Sequence, residues 1–168
     1  MSLTHVDASG TARMVDVSEK RITPRRAMAE GRVIMSADAF EQVKDASGRK
    51  GNVLGTAELA ATMAAKRTSE LIPLCHQVPL DSVSVTTELM PEWPGVLVRA
   101  TANATARTGV EMEALVAVSV GCLTVYDMVK SADRAMRIEG IRVLEKTGGA
   151  SGSWSAAGPL DPFGKEAP

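Results

Sequence analysis

The segment Thr108 to Lys130, TGVEMEALVAVSVGCLTVYDMVK, constrains the fold more than any other part of the chain. It reads as one helix with apolar side chains on all sides, which demands burial, yet it carries Glu111 and Glu113 at its start and Asp127 and Lys130 at its end. Asp127 and Lys130 stand three apart on one face, where they can meet each other or a common third group. Glu113 points within about 40° of the same direction but lies about 21 Å away along the axis, so the choice is one long groove or two separate sites. On pattern alone, a helix-end ion pair worth about 0.3 to 0.5 kcal/mol explains Asp127 and Lys130 equally well. The helix dipole likewise explains carboxylates at the start. A membrane span does not fit, because the uncharged run extends only from Ala114 to Tyr126, short of the roughly 18 residues needed.

At 168 residues the chain is long enough for one domain with a substantial core. We expect that domain to occupy residues 1–155, opening with a weakly structured arm, and residues 156–168 to form a flexible tail. The net charge of -1, from 19 basic and 20 acidic residues, gives no whole-chain attraction to nucleic acid or membrane, so any electrostatic function is local. The aromatics Phe40, Trp93, Tyr126, Trp154 and Phe163 are too few for a base-stacking surface, and the core is expected to be aliphatic and Met-rich. Cys75 and Cys122 show neither metal spacing nor disulfide density, and residues 1–10 contain no apolar run; a cytoplasmic protein is expected.

Residues 26–35, RAMAEGRVIM, predict a strand interrupted or bulged near Gly31. Ser36 then caps a short helix with Ala37, Phe40 and Val43 on one side. After the loop DASGRKGN, the Ala-rich stretch Val53 to Thr68 predicts a helix, and LIPLCHQVPL is extended because of Pro73 and Pro79. Val83, Val85 and Leu89 alternate in one strand, PEWPG turns, and Val96, Val98, Ala100 and Ala102 alternate in the return strand. The long helix follows, then a last strand from Ile138 to Leu144. The order β-α-β-β-α-β predicts an α+β fold, a ferredoxin-like split βαβ with an antiparallel sheet and both main helices packed on one face.

Basic residues fall where this scheme puts loops and element ends: Arg25 and Arg26, Arg49 and Lys50, Lys66 and Arg67, Lys130, and Lys146. Convergence of several on a di- or triphosphate fits their chemistry, since Arg binds phosphate oxygens bidentately and Lys acts as a mobile point charge. Arg21, Arg32, Arg99, Arg134, Arg137 and Arg142 are read as solvated surface charge. The Gly-rich segments GRKGN and TGGASGSW offer backbone amides without matching a P-loop or dinucleotide fingerprint. His76 is held in the extended stretch beside Cys75, but adjacent residues of an extended chain point to opposite sides, which argues against a Cys-His nucleophile pair. An acid, base or hydrogen-bonding role for His76 competes with that of a satisfied loop histidine.

Three stretches, KGNVLGTAELAATMAAKRTSELIPLCH, TGVEMEALVAVSVGCLTVYDMVK and LEKTGGASG, closely resemble the cyclic pyranopterin monophosphate synthases of molybdenum cofactor biosynthesis. The amino-terminal LTHVDASGTARMVDVSEK is similar to theirs as well, so the resemblance covers about residues 3–152. It implies a lyase that converts 3',8-cyclo-7,8-dihydroguanosine triphosphate into cyclic pyranopterin monophosphate and pyrophosphate. It also implies a homohexamer, a trimer of dimers, with active sites where two subunits meet.

By the same resemblance, the catalytic aspartate falls on Asp127 and two important lysines on Lys50 and Lys130. Substrate contacts fall on Leu74, Cys75, His76, Met112 and Glu113, and further basic positions on Arg25, Lys66, Arg67 and Lys146. Gln77 and Val78 intervene before Pro79 where the family commonly has Pro directly after the histidine, and Ala150 stands where it often has Lys. No tightly bound cofactor or protein metal site is implied; Mg2+ enters at most with the substrate triphosphate. A small-molecule substrate, with no nucleic-acid or membrane partner, is expected. Lys50 is expected to reach across a subunit interface to a site whose other half, with Lys130, comes from the next chain. The rival reading is a non-catalytic ferredoxin-like ligand sensor or RNA-binding module, disfavoured by the scarcity of aromatics and by charges inside an apolar helix.

Overall fold

In the computed structural model, which describes residues 5–6, 9–45, 52–150, 152–156 and 158, two strands with small inward-facing residues form the middle of the sheet. β1 (Thr23–Ile34) turns Ala27, Ala29, Gly31 and Val33 inward, and β3 (Gly95–Ala106) turns Val96, Val98, Ala100, Ala102, Ala104 and Ala106 inward. They pair antiparallel from Thr23 opposite Ala106 to Ile34 opposite Gly95. β2 (Ser82–Met90) pairs with β3, and β4 (Arg137–Thr147) with β1; the short β5 (Trp154–Ser155) extends the sheet, giving the order β2-β3-β1-β4-β5. All pairings are antiparallel, so β1 and β2 are parallel with β3 between them, and β3 and β4 are parallel with β1 between them. The chain thus forms the expected α+β split βαβ arrangement.

The helices α1 (Ala37–Lys44), α2 (Val53–Ala65) and α3 (Thr68–Leu71) lie between β1 and β2, and α4 (Glu111–Val129) joins β3 to β4. These connections make α2 and α4 antiparallel neighbours on one face of the sheet. Ala57, Ala61 and Ala65 form the buried stripe of α2, and Ala114, Ala117, Val118, Gly121, Cys122 and Val125 that of α4. A Cβ on Gly121 would come within 3.0 Å of Val98 Cγ1 and 3.4 Å of Ala61 Cβ, so its missing side chain permits the close crossing of both helices and sheet. By length and composition α4 is apolar enough to cross a membrane; here it packs against α2 and the sheet, with half of it buried.

Several local expectations shift. The core is built from Ala and Val, and among the described residues only Met35 and Met136 are buried methionines, because close helix–sheet packing leaves no gap for long side chains. Ala39, with Phe40 and Val43, faces inward from α1 in place of Ala37, while Ser36 caps it as expected, its Oγ accepting from Ala39 N at 3.3 Å. The Ala-rich helix stops at Ala65, where buried Thr68 donates its hydroxyl to Ala65 O and starts α3. The irregularity near Gly31 is real but sits in the pairing with β4, whose register slips between Glu30 and Arg32, opposite Gly140 at φ 65°. Arg32, Arg99 and Arg142 are not merely solvated; on the open sheet face they pair with Glu139, Glu30 and Glu88, because opposite charges meet across neighbouring strands. The described part of the arm contains an isolated bridge, Val6 to Ala12, and a turn closed by Lys20 N to Val17 O.

Candidate active site

β1 and β2 start, and β3 and β4 finish, at the same end of the sheet, where α4 begins. That convergence creates a cavity of about 620 Å³ lined by Lys20, Arg21, Arg25, Arg26, Arg107 and Lys146, with Glu111 as its one carboxylate among the described residues. Arg25 is fixed there because its Nε donates to Ala106 O at 3.3 Å and its Nη2 to Arg107 O at 3.2 Å. Lys146 reaches from β4 to Glu111 Oε1 at 3.3 Å. The turn after β4 closes the wall with Gly148 and Gly149 at φ 99° and 73°; a Cβ on Gly149 would overlap Arg25 Nη1. A pocket so rich in cations suits a polyanion.

Glu113 emerges from the same end of α4 but turns away from that cavity. Its side chain is covered by the segment carrying Cys75: the residue is 2% exposed, Oε1 lies 4.0 Å from Cys75 Sγ, and buried Oε2 has no hydrogen-bond partner. Burial pushes the Glu113 carboxyl above its usual range, and neighbouring Glu111 adds to the rise. Burial, then the charge of Glu113, likewise pushes the Cys75 thiol up, which disfavours the thiolate a nucleophile needs. Leu74, His76 and Met112 are half-buried nearby in sequence, and Lys66 and Arg67 follow α2, exposed, just before α3 packs against α4. Asp16 of the arm is held below the usual carboxylate range chiefly by the Ser18 backbone N–H, with a smaller electrostatic contribution from His76. Cys122 is fully buried and its thiol pushed up to about 12, as suits a core residue.

The raised carboxyl has a consequence for stability. A proton bound more tightly in the folded chain stabilises it at acidic pH, and that contribution is lost as pH rises from the unfolded value of about 4.3 through the raised folded one. Glu113→Gln, which cannot ionise, is expected to melt higher than wild type at pH 8 and close to it at pH 4.5. Thermal unfolding across that range checks this; parallel curves for the two proteins would contradict it.

Asp127 and Lys130 stand at the other end of α4. Lys130 Nζ and Asp127 Oδ1 are 2.5 Å apart, with side chains 52% and 63% exposed. Glu111 lies about 24 Å back along the axis at 1.5 Å per residue. Within one chain the two ends of α4 are therefore well apart. Glu113 shares the helix face of Asp127 but not its exposure, because the Cys75 segment covers only the near end. Lys50, with Arg49, lies outside the described residues. Asn52, two positions on, caps α2 with its Oδ1 accepting Gly55 N at 2.9 Å, and because α2 and α4 are antiparallel this cap sits at the Asp127 end.

Of the expected site residues, the fold brings Arg25 and Lys146 into one cavity and Cys75 against Glu113, and separates Asp127 and Lys130 from both. Arg21 is exposed, as expected of a surface charge, and it also lines the cavity together with Lys20 and Arg107, which the sequence does not single out. The signal was available in their position, just before β1 and just after β3, whose ends pair at Thr23 and Ala106.

Residues 14–149 match the MoaC family. Among curated relatives, the cyclic pyranopterin monophosphate synthase of Methylobacterium sp. (strain 4-46) is 57% identical over 155 residues, covering 92% of this chain and 97% of the relative. That of Cereibacter sphaeroides (strain ATCC 17029 / ATH 2.4.9) is 54% identical over 155 residues, 92% of this chain and 98% of the relative. The Brucella ovis protein of the same name is 54% identical over 157 residues, 94% and 95%.

Proposed function

The chain belongs to the MoaC family, and we propose that it catalyses the step its relatives are named for: the lyase conversion of 3',8-cyclo-7,8-dihydroguanosine 5'-triphosphate to cyclic pyranopterin monophosphate and pyrophosphate, early in molybdenum cofactor biosynthesis. The observation that carries this reading onto the chain's own residues is the cation-lined cavity beside Glu111. Closing the cyclic monophosphate expels pyrophosphate, and a leaving group of that charge is stabilised by Arg and Lys aimed at its oxygens. Arg25, Arg107 and Lys146 supply such contacts, and the Gly148–Gly149 turn lets the backbone approach them. Mg2+, where present, is held by the triphosphate's own oxygens, since the cavity wall is cationic.

Rearranging the purine into a pterin moves protons on and off ring nitrogens and sugar oxygens, work for positioned carboxylates, imidazole and amines. Asp127 takes the role of general base or orients Lys130; Lys50 and Lys130 transfer protons; His76, Glu113, Leu74, Cys75 and Met112 hold pterin and sugar. Asp127 and the cavity stand about 24 Å apart in one chain, farther than one nucleotide-sized substrate spans. A site using both therefore takes its cavity end from one subunit and its Asp127 end from another. The exposed Leu59, Met63 and Leu123 on the outer side of the helix layer suit such an assembly, for which we propose the homohexamer. Its compartment is the cytoplasm, where nucleoside triphosphates are held.

Supplying the purified protein with the cyclised dihydro-GTP under anaerobic conditions and assaying pyrophosphate tests the reading. Catalytic release of pyrophosphate is the expected result; tight binding without release would favour a sensor.

A further inference from the structure

We infer that Asp133 is a positioning residue for this reaction, its carboxylate pinning the turn that carries Lys130 to the start of α1. The inference rests on the function proposed above, since it acts through Lys130. Asp133 Oδ2 accepts the Ser36 backbone N–H at 2.7 Å, and Oδ1 accepts the Ala135 N–H at 2.7 Å. Those two bonds hold the Asp133 carboxyl below the usual carboxylate range, so at neutral pH both are charge-assisted.

The neighbouring bonds of this turn are local. Lys130 N donates to Tyr126 O at 2.9 Å, Ala132 N and Asp133 N donate to Val129 O, and the Tyr126 hydroxyl donates to Arg134 O at 3.2 Å. They shape the end of α4 but do not relate it to the rest of the protein. Asp133 does, because Ser36 belongs to a different element, nearly a hundred residues away in sequence. Ser36 is also the cap of α1. One carboxylate thus ties the turn that bears Lys130 to the start of α1. The lysine side chain is long and flexible, so the placement of its backbone sets how often its amine reaches the reacting atoms.

A double-mutant cycle in the full-length protein tests the role. Asp133→Ala is expected to fold and assemble like wild type, to lose kcat by about 10- to 100-fold, and to change KM by no more than about twofold. In a Lys130→Ala background, followed by single turnover at excess enzyme, the same substitution should cost less than about twofold, because the group it positions is already gone. Asp133→Asn, which keeps one acceptor oxygen, should recover part of the loss. Unchanged kcat in Asp133→Ala, or an equal loss with and without Lys130, would overturn the inference. Should the Ala variant fail to fold, Asp133→Asn decides by the same comparison. A wild type without turnover removes the functional reading and this role with it, whereas an active wild type with an indifferent Asp133 removes this role alone.

Discussion

Asp127→Asn is expected to fold and assemble as the wild type does and to lose turnover by about 10²-fold or more. Asn keeps the shape of the side chain and one acceptor oxygen for Lys130 Nζ, so what disappears is the charge and the ability to take a proton. An ion pair whose members are more than half exposed is screened by water and contributes at most about 1 kcal/mol. A purely structural pair therefore predicts the opposite pattern, a small fall in melting temperature with pyrophosphate release intact. The two readings separate in one experiment, a melting curve beside a turnover assay on the same preparation. Near-wild-type turnover in a well-folded Asp127→Asn protein would remove the aspartate from the chemistry. A parallel loss of kcat and kcat/KM would show that the interaction lost is one made in the transition state.

Much of the fold is legible in the sequence because its period is clean. Val96, Val98, Ala100 and Ala102 alternate without error, the prolines around PEWPG place the hairpin, and the apolar run of α4 has room for one arrangement, packed on a sheet. What periodicity does not carry is distance between elements. Nothing local in Gly121 or Ala61 announces that they meet, yet that contact draws α2 close to α4 and favours Ala and Val over Met in the core. The site divides in the same way. Asp127, Lys130, Glu113 and Cys75 stand out as charges or thiols in apolar surroundings. Arg21, Lys20 and Arg107 look like any surface cation until the pairing of Thr23 with Ala106 brings the ends of β1 and β3 together. The separation of the two ends of α4 follows from helix rise alone, but that the segments expected to contact substrate divide between those ends requires the antiparallel pairing of α2 and α4.

That division makes a second strong prediction. Lys146→Met damages the cavity end and Asp127→Asn the opposite end, so each homo-oligomer should be nearly inactive. If each active site joins the cavity end of one subunit to the Asp127 end of another, mixing the two variants with subunit exchange creates sites that pair an intact cavity with an intact aspartate, and activity reappears. Random mixing in equal amounts gives one such site in about four, so recovery of about a quarter of wild-type activity is expected. Lys50→Ala mixed with Lys130→Ala is the companion test. Lys50 lies outside the described residues, and the expectation from sequence is that Lys50 and Lys130 serve one site from different chains, so that some mixed sites hold both lysines and activity reappears. Absence of recovery with the lysine pair would overturn that arrangement, and absence of recovery with Lys146→Met and Asp127→Asn after exchange has been verified by mass spectrometry would refute a site divided between subunits.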